Sequence, residues 1–185
     1  SCVSEEIDWI CAHGTGTSLG DPIEINGLTA AFKNLQSNKK SIFQKPWCGL
    51  GSIKTNVGHL EAASGMAGML KVLLSMQYQQ LPPTINFERL NSKIELEGSP
   101  FYIQHELKTW QTKVSNEPLR AGVSSFGIGG ANAHVVLESF NPDQKILTNL
   151  KINTGHFLFV LSAKNTEQLK IYVKKIIDHI EKTFD

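Results

Sequence analysis

Apolar and polar positions alternate between short runs and helical spacings along the whole chain. Ile7-Asp8-Trp9-Ile10-Cys11-Ala12 is a short apolar run of the kind that forms a buried strand. Asp21-Pro22-Ile23-Glu24 then reads as a helix start: Asp21 as cap, proline in the first helical position and Glu24 completing a capping box. Ile25, Leu28, Thr29 and Phe32 fall at i, i+3, i+4 and i+7, giving that helix a mostly apolar face. A polar stretch from Asn34 to Lys45 predicts an exposed loop, and residues 49–54 a second strand.

A second helix is predicted from Glu61 to Gln77, about 25 Å long at 1.5 Å per residue. Its small residues Ala63, Ser64, Gly65, Ala67 and Gly68 cost helix propensity but let another backbone pack close. Leu81-Pro82-Pro83-Thr84 breaks regular structure, and the mixed region up to Glu117 contains a strand candidate at Phe101-Tyr102-Ile103. Two further strands, from Gly122 to Phe126 and from Ala133 to Glu138, flank a glycine turn and predict a hairpin. Past Phe140 the character changes. Residues 141–155 read as a polar linker, Phe157 to Leu161 as a strand, and Asn165 or Thr166 as the cap of an amphipathic helix bearing Leu169, Val173, Ile176 and Ile180.

Composition narrows the function classes. The 185 residues are 41% hydrophobic and 19% charged, and the net charge of +1 gives no electrostatic case for nucleic acid or an anionic membrane. The run from Ala62 to Met76 contains Ser64, Lys71 and Ser75 and is shorter than the roughly 20 residues a membrane span needs. Glu5, Glu6 and Asp8 precede any apolar stretch, so no secretory signal is visible. Three cysteines, Cys2, Cys11 and Cys48, lack metal-ligand spacing and fit a reducing, cytoplasmic setting. A chain that starts at Ser1 and ends inside a helical pattern reads as part of something longer.

Two histidines lie in loops of small residues: His13 in His13-Gly14-Thr15-Gly16-Thr17 and His59 in Lys54-Thr55-Asn56-Val57-Gly58-His59. Imidazole is the side chain best suited to exchange or donate a proton near neutral pH, and glycine lets substrate approach closely. Neither glycine cluster makes a dinucleotide site. Leu19 stands where the first needs its third glycine, Asn132 where the second does, and a strand follows the second in place of a helix. A zinc site from His13, His59 and His134 lacks any paired ligand spacing. His105, His156, His179 and His134 read as hydrogen-bonded structural residues, whereas His13 and His59 stand at strand ends, where α/β folds place chemistry.

Three segments, in this order, resemble the β-ketoacyl synthase domains of type I polyketide synthases. They are His13-Gly-Thr-Gly-Thr17 with Gly20-Asp-Pro-Ile-Glu24; Lys54-Thr-Asn-Val-Gly-His59; and Gly122-Val-Ser-Ser-Phe-Gly-Ile-Gly-Gly-Ala-Asn-Ala-His134. The resemblance covers Ile7 to about Phe140, the carboxyl-terminal half of such a domain, and residues 141–185 resemble the start of the linker toward an acyltransferase domain. It implies an α/β, thiolase-like α-β-α-β-α layered fold and a decarboxylative Claisen condensation in polyketide or fatty acid synthesis. The substrates it implies are an acyl group and a malonyl-type thioester borne on the phosphopantetheine of an acyl carrier protein. It implies no directly bound cofactor or metal, and an intact enzyme that is a homodimer with an acyltransferase domain in the same chain.

Carried over by position, the resemblance makes His13 and His59 donors to the malonyl thioester oxygen. Lys54 orients the histidine environment through the supporting Glu61. Thr15 and Thr17 bond the pantetheine amides, Ile128 marks a turn offering an N–H to the acyl oxyanion, and Phe126 walls or gates the pocket, with an ordinary core aromatic as its alternative reading. One departure stands against these matches. The family's nucleophile is a cysteine in an Ala-Cys-Ser setting, which none of Cys2, Cys11 and Cys48 has. The alternative reading is therefore an inactive thiolase-fold scaffold or dimerisation module. Half of an interleaved core also predicts a large exposed apolar face.

Overall fold

A computed structural model describes residues 3–36, 43, 45–111, 117–140 and 161–184. The chain divides into two units, Ser1–Asn141 and Pro142–Asp185. The expected linker at 141–155, His156, most of the strand expected at 157–161 and Cys2 lie outside the described residues.

In the first unit, β1 (Trp9–Cys11), β2 (Cys48–Gly51), β4 (Phe101–Ile103), β6 (Arg120–Phe126) and β7 (Asn132–Glu138) form one sheet in the order β4-β2-β1-β6-β7. All pairings are parallel except the β6–β7 hairpin. The predicted strands at 7–12 and 49–54 are thus each trimmed. The second stops at Gly51 because Lys54–Val57 forms a single-turn helix, α2, with the Lys54 N–H donating to Ser52 Oγ at 3.3 Å. A small second sheet, β3 (Gln80–Leu81) with β5 (Lys108–Thr109), is antiparallel and too short to show a period in the sequence.

Both faces of the main sheet are covered, which explains why β1 is apolar throughout. On one face Ile10, Cys48, Leu50 and Phe101 pack against Ile25, Leu28 and Phe32 of α1 (Gly20–Leu35). On the other, Trp9, Cys11, Ala121 and Val123 pack against Val72 and Met76 of α3 (Ser64–Tyr78). The glycines of β2 make room for the Trp9 indole: a Cβ at Gly49 or Gly51 would come 3.2 Å from its ring atoms. The small residues of α3 do the same for β6, since a Cβ at Gly68 would sit 3.1 Å from Val123 Cγ1. Residues 61–63, predicted as the first turn of α3, form a separate 3-10 turn.

The outer face of α3 carries an apolar stripe. Met66, Leu70, Leu74 and Tyr78 are 60%, 58%, 51% and 68% exposed, and β7 adds the exposed Val135 and Val136. This is the open face that the sequence leads one to expect. The second unit contains α4 (Thr166–Phe184), capped by Asn165, whose Oδ1 accepts the Gln168 N–H at 2.9 Å. No helix among the described residues is long and apolar enough to cross a membrane.

Candidate active site

Parallel pairing decides where the chemistry gathers. β2, β1 and β6 are adjacent and run the same way, so the loops after their carboxyl ends open on one edge of the sheet. Those strand ends carry His13, then Lys54 and His59, then Phe126 as the last residue of β6, with Ile128 in the turn beyond it. The rings of His13 and His59 meet edge to face with centroids 5.4 Å apart, and the Phe126 ring lies 5.3 Å from that of His13. Lys54 Nζ stands 3.4 Å from His13 Nδ1.

The proton on each imidazole follows from its neighbours. His13 Nδ1 faces the Phe126 backbone N–H at 3.3 Å as well as the Lys54 ammonium. Both groups can only donate, so Nδ1 accepts and the proton of the neutral ring sits on Nε2. His59 Nδ1 accepts the Glu61 backbone N–H at 2.9 Å, which fixes the same tautomer there. Neither Nε2 has a partner among the described residues. Burial, followed by the positive charge of Lys54, holds His13 below its ordinary pKa and keeps the ring neutral. Burial likewise lowers Lys54, against the opposing pull of Cys11, Glu24 and Asp21.

Two corrections to the sequence reading concern carboxylates. Asp21 and Glu24 do not form a capping box, for α1 begins at Gly20 with no side-chain cap. Glu24 is buried and turns back to the His13 loop, where its carboxylate accepts the backbone N–H groups of His13 (2.7 Å) and Gly14 (3.0 Å). Asp21 accepts the Gly16 N–H at 3.1 Å. The left-handed backbone of Gly14 (φ +46) and Gly16 (φ +73) folds the loop so that these donors reach α1. Burial pushes the Glu24 carboxyl above its ordinary range, while its two N–H bonds pull the other way. The signal for Glu24 was a carboxylate set between Ile23 and Ile25 on a helix with a buried face.

Secondly, no hydrogen bond or ion pair among the described residues joins Lys54 to the Glu61 carboxylate, the contact expected for orienting the histidine environment. The Lys54 ammonium meets His13 across the site, whereas Glu61 contributes a backbone N–H to His59 from a left-handed conformation (φ +49), with its side chain exposed. Thr15 and Thr17 stand beside His13 with their hydroxyls 3.3 Å apart, and Thr17 Oγ1 accepts the Gly20 N–H. Ile128 is fully exposed at the hairpin turn, and its backbone N–H has no partner among the described residues. His134 is hydrogen-bonded to Ser124 at 3.0 Å across the hairpin. Among the described residues, no group of three or more His, Cys, Asp or Glu could hold a metal ion. Cys11 and Cys48 are both buried in strands, and burial pushes the Cys11 thiol up.

Comparison with known proteins gives these features a context. A family model described as beta-ketoacyl synthase, C-terminal domain, matches residues 1–88, and one described as ketoacyl-synthetase C-terminal extension matches residues 91–184. Polyketide synthase PksN of Bacillus subtilis is 46% identical over 183 residues, 95% of this chain and 3% of that protein. A highly reducing polyketide synthase of Aspergillus terreus is 41% identical over 163 residues, 88% of this chain and 6% of that protein. Among solved structures, the ketosynthase from module 6 of the bacillaene synthase of Bacillus subtilis superimposes with a TM-score of 0.68 at 42% identity. That match covers 98% of this chain and 29% of that one. The likeness establishes the thiolase-like fold, carboxyl-terminal half, and the chain spans only a small part of the curated relatives it matches.

Proposed function

We propose that this chain, which belongs to the β-ketoacyl synthase family as the carboxyl-terminal domain of a type I polyketide synthase ketosynthase, supplies the malonyl-activating half of a condensing active site. The observation that carries the reading is the facing pair of imidazoles, each with Nδ1 engaged by a donor and Nε2–H left for a substrate.

A malonyl-type thioester enters with its thioester oxygen accepting from the two Nε2–H groups. The bond to the carboxylate breaks, CO2 leaves, and the electron pair moves onto that oxygen as an enolate. Donors already in place where charge develops are worth about 2.7–4 kcal/mol each. The enolate carbon then attacks an acyl thioester carbonyl, whose own oxyanion is met by the hairpin-turn N–H at Ile128, and the thiolate departs. Thr15 and Thr17 offer hydroxyls to the amides of a phosphopantetheine arm, and Phe126 walls the site beside His13. The nucleophilic thiolate is not assigned to Cys11 or Cys48, which are buried within strands, nor to Cys2, which lacks the family's Ala-Cys-Ser setting, and another part of the synthase is taken to supply it. Acyl carrier protein, an acyltransferase domain and a homodimeric partner complete the proposed setting.

The test uses the intact ketosynthase containing these residues and measures malonyl-thioester decarboxylation. His13→Ala should lower the rate by about 100- to 1,000-fold. Near-normal rates for both His13→Ala and His59→Ala would refute the reading.

A further inference from the structure

Lys71 is a charged residue on the inner face of α3, only 8% exposed. Burying an ammonium is costly unless charge or hydrogen bonds answer it. Among the described residues no carboxylate stands within ion-pair distance of it. Its neighbours on that face, Val72 and Met76, show that an apolar side chain fits such positions. What answers the Lys71 ammonium is the turn bearing the site. Nζ donates to the Ser52 carbonyl and to Asn56 Oδ1, each at 3.1 Å, and lies 6.0 Å from the Trp9 ring centroid.

Ser52 and Asn56 bracket Lys54. Ser52 Oγ accepts the Lys54 N–H and donates to the Gly14 carbonyl at 3.5 Å, so it touches both the Lys54 turn and the His13 loop. Past Asn56, the Gly58 N–H returns to the Lys54 carbonyl at 2.9 Å before the chain reaches His59. A tetrahedral ammonium with three donors can hold both ends of this turn at once, which no apolar or shorter polar side chain can do.

We propose that Lys71 is a positioning residue for this site, bracing from beneath the turn that sets Lys54 against His13 and leads into His59. The proposal rests on the ketosynthase reading and adds to it a residue that touches no substrate.

The experiment compares two half-reactions of the intact ketosynthase in wild type, His13→Ala, Lys71→Met, Lys71→Arg and Asn56→Ala. One is acyl transfer from an acyl thioester to the enzyme; the other is decarboxylation of a malonyl thioester. Lys71→Met should acylate at the wild-type rate while kcat for decarboxylation falls on the order of ten- to a hundredfold with KM little changed. Lys71→Arg should recover part of that loss. Asn56→Ala, at an exposed position that folding tolerates, should show a smaller loss of the same selective kind. Equal losses in both half-reactions for Asn56→Ala, or no loss in Asn56→Ala, would overturn the proposal. So would wild-type decarboxylation by Lys71→Met. If His13→Ala decarboxylates like wild type, the ketosynthase reading fails and this proposal with it; if His13→Ala is impaired while Lys71→Met is not, only the role of Lys71 fails.

Discussion

The assignment of a proton to Nε2 of His59 can be tested by choosing the amide that replaces the ring. A glutamine amide reaches about as far as Nε2, whereas an asparagine amide stops near Nδ1. In this site the Nδ1 position is already taken up by the Glu61 N–H at 2.9 Å. His59→Asn therefore keeps an acceptor for Glu61 and leaves no donor at the substrate side. Loss of that one donor should cost about 2.7–4 kcal/mol, or roughly 100- to 1,000-fold in kcat/KM for malonyl-thioester decarboxylation. His59→Gln can present its amide N–H near the vacated Nε2 and should retain at least about tenfold more activity than the asparagine variant. The assay is CO2 release by the intact ketosynthase, with circular dichroism to show that both variants fold. A tautomer with the proton on Nδ1 would reverse the order, so an asparagine variant as active as the glutamine variant or better would refute the reasoning.

Two other substitutions probe the surroundings. Lys54→Met removes the charge that, after burial, holds His13 below its ordinary 6.5. The acid limb of the decarboxylation profile should then move to higher pH, and an unmoved limb in a folded variant would exclude the coupling. Because the folded value is lowered, the stability this histidine contributes is complete above about 6.5 and is lost as pH falls through the folded value; Lys54→Met should narrow that window. Gly122→Ala would place a Cβ 2.6 Å from Ile10 Cδ1 and 2.7 Å from His134 Nε2. Overpacking of that kind costs about 1–3 kcal/mol, and an unchanged urea midpoint would show that the hairpin absorbs it.

The three loops were legible in the sequence because their chemistry needs imidazoles among contiguous small residues, and the apolar run of β1 places His13 at a strand end without help from distant contacts. Their convergence was not legible from pattern alone, since it depends on β2, β1 and β6 pairing in parallel across more than a hundred residues of chain. Asp21 and Glu24 depart from the capping pattern of their spacing for a related reason. Their spacing satisfies a local rule, but two left-handed glycines bring stronger claimants, the N–H groups of His13, Gly14 and Gly16, within reach of the same oxygens. Lys54 and Glu61 are close in sequence, yet the short helix α2 sends the lysine toward His13 instead. Lys71 looked like a polar interruption of an apolar helix, and only the acceptors at 3.1 Å show what it serves.

The two histidines reach one electronic state by different means, and the difference has consequences. At His13 a cation and a backbone N–H share Nδ1, so protonating the ring would set a new N–H against two donors and place two positive charges 3.4 Å apart. That repulsion adds to the burial that already keeps the ring neutral, and its share depends on the charge of Lys54. At His59 the tautomer is set by one backbone N–H, delivered by a glutamate held at φ +49, a conformation that costs a non-glycine residue of order 1–3 kcal/mol. This second device draws on backbone geometry and on no neighbouring side-chain charge. The exposed Glu61 carboxylate has no part in it, and the strained backbone is what the position contributes. A site whose donors must both present Nε2–H thus combines one imidazole governed by burial and a neighbouring charge with one governed by backbone geometry.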